Sequence, residues 1–348
     1  MTSAWFQLPA TADRHALLAA LADGHELAEQ PPRPVRRRHL DSFDWRLHRA
    51  GVTLVRTDGT WQLRALAAPE IWAEVPAAAG PVPRFAADFP AGTRLQKRLR
   101  KLLKMRALLH LITVAGEERR WHLLNADQKT VARLALQTLR LEKPARDQEW
   151  RLLRIEPLRG YEEAAAAAAT AARSSGLAPL ALPLVDTLLR AADLEPESYS
   201  SKFRAELAPS QPALSATVVI ARTLLQAMRQ NEAGLKADID TEFLHDFRVA
   251  IRRTRSALTH FKGVFDPAAV APFQDDLRSL GRLTGPLRDR DVYLLDEDRY
   301  RGLLPADLRE GLDGLFDRLR RERASELRRL RRALDDPAYR DFQVRWEA

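Results

Sequence analysis

Apolar and polar positions alternate two by two along much of residues 1–160, and recur at helical spacing from 212 onward. The first pattern predicts strands and the second predicts amphipathic helices. "GVTLVRTDGTWQLRAL" places two alternating runs around Asp58-Gly59, a pair that tolerates the positive φ of a tight hairpin turn. "LLHLITVAGEERRWHLL" predicts a second hairpin, turning at Ala115-Gly116-Glu117. "KTVARLALQTLRL" and "EWRLLRIEPL" predict a further antiparallel pair. Hairpins without intervening helices imply an antiparallel sheet or barrel. "ADRHALLAALADG" and "TRLQKRLRKLLKM" predict helices set into it.

The alanine tract "YEEAAAAAATAARSSG" predicts a helix that Glu162 and Glu163 favour through the dipole and Gly176 ends. "LPLVDTLLRAADL" predicts another, and the Pro- and Ser-rich stretch after it predicts a linker. Beyond it lie "ALSATVVIARTLLQAMRQNEAG", ending at Gly234, and "DTEFLHDFRVAIRRTRSALTHFKGVF", capped by Asp240 or Thr241 and stopping at Pro267. Two shorter helices, "PAAVAPFQDDLRSLGRLTG" and "VYLLDEDRYRGLL", precede a long one, "ADLREGLDGLFDRLRRERASELRRLRRALDD". The expected fold is α+β. An antiparallel β domain with flanking helices spans residues 1–205, a linker 206–212, and an antiparallel helical bundle 213–348.

Charge sharpens this picture. The 348 residues carry 56 Lys plus Arg against 47 Asp plus Glu, a formal net charge of +9, which suggests a polyanionic partner. From 212 to 348 there are 25 basic and 23 acidic residues, so an anion site there must come from arrangement on helix faces. The chain has no cysteine, which excludes disulfides, thiol catalysis and cysteine-ligated zinc. "MTSAWFQLPATADRH" lacks the pattern of a secretory signal, and no apolar run is long enough to span a membrane, so a cytoplasmic location is expected. No phosphate-binding Walker loop, dinucleotide glycine fingerprint or His-Glu-x-x-His zinc site is present, and no cofactor is expected.

Helical geometry gives the charge a direction. In "HDFRVAIRRTRSALTHF", His245, Arg248, Arg252 and Arg255 fall within an arc of about 80° and span roughly 15 Å along the axis. They border an apolar stripe that includes Phe247, Ile251 and Thr254. In the last long helix Arg321, Arg328 and Arg332 share a face, and Arg222 and Arg229 share one in the first. Guanidinium forks repeated every turn or two suit successive phosphates of a long flexible polyanion better than one small metabolite. The competing reading is a solvated charged stripe neutralised by acids such as Asp246, Glu322 and Glu326.

The histidine, Arg-Val, Arg-Arg and Arg of this helix (His245, Arg248, Val249, Arg252, Arg253 and Arg255) closely resemble the signature of the CHAD family, the conserved histidine α-helical domain. "LGRLTGPLRDRDVYLL" is similar to a later family segment through Leu280, Gly281, Arg288, Asp289, Asp291 and Val292. The resemblance implies a helical bundle that binds inorganic polyphosphate without catalysis and associates with polyphosphate granules. The residues it implies for binding are His245, Arg248, Arg252, Arg253, Arg255, Arg222, Arg229, Lys262, Arg288, Arg321, Arg328 and Arg332. CHAD domains contain two similar halves. One histidine-arginine helix is present here, so pairing with a second copy is one expectation.

"RRRHLDSFDWRLHRAGVTLVR" resembles, more weakly, a segment of the CYTH family, the triphosphate tunnel fold, through Asp41, Asp44, Trp45 and Leu47. That family marks its first strand with Glu-x-Glu-x-Lys, whose carboxylates hold a metal ion. The corresponding stretch here, "AWFQLPA", has no acid, which argues against a magnesium-dependent triphosphatase. Arginines such as Arg36, Arg49, Arg56, Arg64, Arg106, Arg133, Arg151 and Arg154 leave two readings, an anion-binding tunnel or a degenerate scaffold with arginines on the outer faces of its strands, and the second is favoured for any single residue. Nucleic acid ranks lower as a ligand, because neither a helix-turn-helix nor an aromatic stacking surface is recognisable.

Overall fold

The structure, a computed structural model, describes residues 3–9, 11–67, 70–180, 183–261 and 263–347. The chain divides into two compact units, Met1–Ser200 and Ser201–Ala348. No described helix is long and apolar enough to cross a membrane.

Among the described residues the first unit forms a nine-stranded antiparallel sheet. Its strands are β1 (Ala4–Leu8), β2 (Glu26–Asp41), β3 (Val52–Thr57), β4 (Thr60–Ala65), β5 (Ile71–Pro76), β6 (Leu109–Leu124), β7 (Thr130–Lys143), β8 (Glu149–Pro157) and β9 (Ala178–Pro179). They lie in the order β5-β4-β3-β2-β6-β7-β8-β1-β9. The β3–β4 hairpin turns at Asp58-Gly59, with φ of 47° and 72°, as the dipeptide predicts. Helices α1 (Arg14–Ala22) and α4 (Glu162–Ser174) bury leucines and alanines against one face of β1, β7 and β8, and α3 (Arg94–Leu103) packs Leu95, Leu99 and Leu103 over β3 and β4. Asp13 and Thr93 cap α1 and α3 by accepting backbone hydrogen bonds.

The expected hairpin at residues 115–117 is absent, because β6 runs straight through Gly116. A Cβ on Gly116 would lie 1.8 Å from the Thr138 carbonyl oxygen on β7. The glycine permits close strand approach and does not mark a turn. Pro31 and Pro32 of β2 fall at a register shift between Gln30 and Arg33, where the missing N–H groups break no regular ladder.

The second unit contains α6 (Ala213–Ala237), α7 (Thr241–His260), α8 (Pro267–Leu295), α9 (Glu297–Gly302), α10 (Asp313–Asp335) and α11 (Pro337–Glu347). Helix α7 packs against α6 and α8, and α10 against the latter. The Asp240 side chain caps α7 by accepting from the N–H groups of Glu242 and Phe243. Three expectations about helix ends are corrected. Helix α6 continues past Gly234, whose Cβ would lie 2.2 Å from the Phe243 ring of α7, so this glycine too is a close-approach residue. Helix α7 ends at His260, well before Pro267. Helix α8 is continuous through Gly285 and Pro286, where two shorter helices were expected.

Candidate functional site

Helix α7 buries Phe243, Leu244, Phe247, Ala250, Ile251 and Thr254, which turns His245 and Arg248 toward the seam with α8 and leaves Arg252, Arg253 and Arg255 exposed. Arg248 is half-buried. Its Nη1 donates to the Gly281 carbonyl (3.1 Å) and to Thr284 Oγ1 (2.7 Å). The Thr284 hydroxyl donates to the Leu280 carbonyl (2.8 Å), so its lone pairs face the guanidinium. Gly281 and Gly285, one helical turn apart, keep this wall of α8 low. A Cβ at Gly281 would lie 3.5 Å from Arg255 Nη1, and one at Gly285 would lie 3.7 Å from Arg248 Nη1. Arg288, farther along α8, donates to the Thr241 carbonyl at the start of α7 (3.3 Å).

The cations sense one another. Burial, then the charges of Arg288 and Arg252, hold the His245 imidazolium below the ordinary histidine range. Burial also lowers the Arg248 pKa, with Arg288 and Arg252 adding to it and Asp289 opposing. Among the described residues Arg248, Arg252, Arg253, Arg255 and Arg288 form no salt bridge. Arg253 instead lies over the Phe203 ring at 5.6 Å. The α7–α8 seam is therefore a cationic strip whose arginines form no salt bridge among the described residues, with Asp289, Glu242 and Asp246 offsetting part of its charge from farther away.

The other expected residues are placed differently. Arg229 is bound to Glu347 at 2.8 Å, and Arg222 is exposed. Arg321, Arg328 and Arg332 are exposed on α10, roughly 145° around the helix from its buried Phe316, Leu327, Leu330 and Leu334. The inward arginine of α10 is Arg323, which clamps Asp238 (2.6 Å) and the buried Asp291 (2.6 Å). Its role is to tie the end of α6 to α8 and α10. Lys262 lies outside the described residues.

The first unit holds a second cationic surface. Directly paired residues of antiparallel strands share a face. Register therefore places Arg33 and Arg37 of β2, Glu118 and Arg120 of β6, Gln137 of β7, Arg154 of β8 and Trp5 of β1 on one side of the sheet. His39 and Arg64 join them through β3. In a flat sheet β4 and β8, five strand spacings apart, would be separated by roughly 24 Å. Arg64 and Arg154 nevertheless line one cavity of about 400 Å³ and repel each other, so the sheet is curled into a trough. Helix α5 (Leu184–Ala191) closes part of it with Leu184, Val185 and Leu188.

Glu118 sits fully buried at the trough floor. Burial alone would raise its pKa. The hydrogen bond from Gln137 and the charges of Arg154 and Arg33 outweigh that and hold the carboxyl low. Burial pushes Arg37 down to about 10, aided by Arg64 and Arg154, and pushes His39 down to about 3, aided by Arg37 and Arg64. The Nε donors of Arg120 and Arg154 are buried with no hydrogen-bond partner among the described residues. Of the eight arginines singled out in the sequence, Arg64, Arg133 and Arg154 face the trough. Arg36 lies on the other face beside Glu142, Arg49 donates to the carbonyls of Glu197 and Tyr199, and Arg151 donates to that of Pro9. Sequence reading missed Arg33, Arg37 and Arg120. The period-two run Arg33, Val35, Arg37, His39 was the available signal.

The "DSFDW" segment is structural. Asp41 accepts from the N–H groups of Ser42, Leu47 and His48, and burial raises its pKa to about 6 against those bonds. The His48 ring is bracketed by Asp186 of α5 (3.0 Å) and Glu197 (2.9 Å). Burial disfavours its charge, yet the two carboxylates raise its pKa. On β1, Trp5 and Gln7 take the trough-facing positions, so that strand offers no metal ligand of the Glu-x-Glu-x-Lys kind. No group of three or more His, Cys, Asp or Glu among the described residues comes together to hold a metal ion.

Together these features define an α+β protein with a curled antiparallel sheet unit and a helical unit bearing an arginine-lined seam. Residues 219–348 match the family model of the CHAD domain, so the helical unit carries the family match that its histidine-arginine helix foretold. Among solved structures the chain is similar to a Bacillus halodurans protein provisionally assigned as an adenylate cyclase. The identity is 12% and the TM-score 0.37, over 53% of this chain and 95% of that one. No curated protein matches the sequence.

Proposed function

We propose that the helical unit binds inorganic polyphosphate along the α7–α8 seam without transforming it. The observation that carries this reading is the run of Arg248, Arg252, Arg255 and Arg288 beside His245, joined to no carboxylate by a salt bridge among the described residues, with the charges of Arg288 and Arg252 felt at His245 and Arg248. Like charges on one wall, only partly offset by Asp289, Glu242 and Asp246, cost free energy until an anion arrives. A flexible chain of phosphates can meet the rungs in succession, and each guanidinium fork can take two oxygens. The match to the CHAD family supports this ligand. Association with polyphosphate granules follows as part of the same reading.

The test is retention of the full chain on immobilised long-chain polyphosphate, with duplex DNA as competitor. Retention that polyphosphate displaces and DNA does not, lost in the Arg248→Ala/Arg252→Ala/Arg255→Ala variant at unchanged helicity, is the expected result. Undiminished retention by that variant would overturn the assignment.

A second reading concerns the trough, favoured by the buried Nε donors of Arg120 and Arg154, which make no hydrogen bond among the described residues although their guanidinium groups lie 3.9 and 3.7 Å from Glu118. It is a compact anion pocket, suited to a short phosphate chain. Hydrolysis there would require carboxylates free to hold a cation, and Glu118 is already engaged by Arg33 (2.8 Å) and by Gln137. Phosphate release from tripolyphosphate with magnesium separates binding from turnover, and release above the rate of a Glu118→Gln variant would favour an enzyme.

A further inference from the structure

The trough of the first unit has two chemically different sides. Its floor is the curled sheet, which brings Arg37 and His39 of β2, Arg64 of β4 and Arg154 of β8 to one cavity of about 400 Å³. Its cover is apolar. Leu184, Val185 and Leu188 of α5 line it, with Leu66 and Leu180 beside them. The floor offers more donors than its neighbours can use. Arg64 forms no hydrogen bond and no salt bridge among the described residues, and Asp58 and Glu74 offset part of its charge from farther away. Arg37 donates to Gln137 Oε1 (3.2 Å) and likewise forms no salt bridge. Arg154 lies 3.7 Å from Glu118 and 3.6 Å from Glu156, and its guanidinium sits over the Trp5 ring at 5.8 Å. Its buried Nε and the buried Oγ of Ser3, which also lines the cavity, make no hydrogen bond among the described residues. His39 adds no positive charge, because burial keeps its ring neutral, with Nδ1 3.2 Å from Thr53 Oγ1.

We infer that the trough binds an amphipathic organic carboxylate, its head on Arg64 and Arg37 and its apolar body under α5. The inference rests on the reading of the trough as an anion pocket and gives that pocket an occupant other than a bare phosphate chain. Two guanidinium groups without ion pairs, beside two buried polar atoms without partners, suit one compact oxyanion. A carboxylate meets a guanidinium fork with both oxygens and brings a single charge to neutralise. The leucines of the cover select the rest of the molecule. A polyanion laid against them would lose hydration from several charges and gain no partner for most of them, which is costly. An aliphatic or aromatic body instead removes its own apolar surface and that of Leu184, Leu188 and Leu66 from water together. The cavity has the size of a small-ligand pocket, and its pairing of an apolar wall with a few convergent polar groups is the usual composition of one.

Calorimetric titration of the full chain with octanoate, acetate, octanol and tripolyphosphate is the test. Octanoate is expected to bind roughly thirtyfold tighter than acetate, because its longer chain is partly buried under α5. Octanol, which has the body without the charge, is expected to bind far more weakly than octanoate. Arg64→Gln should weaken octanoate and acetate alike, by about tenfold, at an unchanged circular dichroism spectrum. Leu184→Gln should weaken octanoate by about fivefold and leave acetate where it was. Equal affinity for octanoate and acetate, octanol binding as tightly as octanoate, or octanoate binding indifferent to Leu184→Gln each overturn the inference, and none of these needs the arginine variant to fold. Tripolyphosphate binding that Arg64→Gln weakens, with no advantage of octanoate over acetate, overturns the carboxylate and leaves the anion pocket standing. A folded Arg64→Gln chain that binds all four compounds as the unmodified protein does overturns both.

Discussion

Replacing Arg252 and Arg255 together by glutamine tests the seam most directly, because these two rungs are exposed and bear no side-chain hydrogen bond among the described residues. Folding is left nearly untouched, and what is lost is two phosphate contacts. Each contact to a single-stranded polyanion contributes about 0.7 to the slope of log affinity against log salt. Removing two lowers the slope by about 1.4. Across a fourfold rise in salt, from about 50 to 200 mM, the unmodified protein should then lose about sevenfold more affinity than the variant. Anisotropy of end-labelled long-chain polyphosphate, titrated at several salt concentrations, reads both slopes. Arg248→Gln should behave differently, since Arg248 also bonds Gly281 and Thr284 of α8. It should lower thermal stability as well as affinity. Parallel salt plots for the Arg252/Arg255 variant and the unmodified chain would mean that these guanidinium groups touch no phosphate, and the seam would be only a solvated stripe.

Other outcomes follow from the same geometry. Gly116→Ala forces a methyl against the Thr138 carbonyl, a backbone atom that cannot step aside, and Gly234→Ala drives one into the buried Phe243 ring. Each should cost about 1–3 kcal/mol in urea unfolding, the glycine-to-alanine gain in helix propensity offsetting part of the second. The His245 pKa is depressed in the free protein, and a bound phosphate chain would raise it. Binding should therefore take up a proton and tighten as pH falls below the ordinary histidine range, while the unliganded fold loses stability in the same direction. His245→Gln should flatten the affinity profile. His48 has the opposite sign. Its raised pKa supplies stability that is present at low pH and lost as pH rises through that value, a loss that His48→Gln should remove from a thermal-melt series against pH. Arg323→Met strands the buried Asp291 and should destabilise the helical unit by about 3 kcal/mol, with Asp291→Asn restoring part of it in denaturant titrations.

What could be read from residues in order was whatever a short segment fixes by itself. Asp58-Gly59 makes its turn because these two residues accept positive φ, whatever surrounds them. The alanine tract after Glu162 forms α4 by propensity and dipole, and Asp240 starts α7 through its own side chain. The period of Phe243, Phe247 and Ile251 announces the buried side of α7 and hence the side on which His245 and Arg248 approach a neighbour. Composition likewise carried the polyanion reading, and the helix motif carried the family.

The tertiary structure decided what depends on atoms distant in sequence. Gly116 and Gly234 read as punctuation, yet both lie inside regular elements, because the steric reason for each belongs to another element, Thr138 on β7 and Phe243 on α7. Gly285-Pro286 does not end α8, whose glycines form the low wall beside Arg248 and Arg255. Which arginines share a site was equally hidden. Arg33 meets Glu118 across 85 residues, and Arg64 senses Arg154 only because a sheet curls. The sequence by itself determined the elements and their charged faces, since backbone preference and side-chain period act over one or two turns. The folded chain alone determined which charges stay free of carboxylates, because Coulomb and steric energies depend on separation in space and not along the chain.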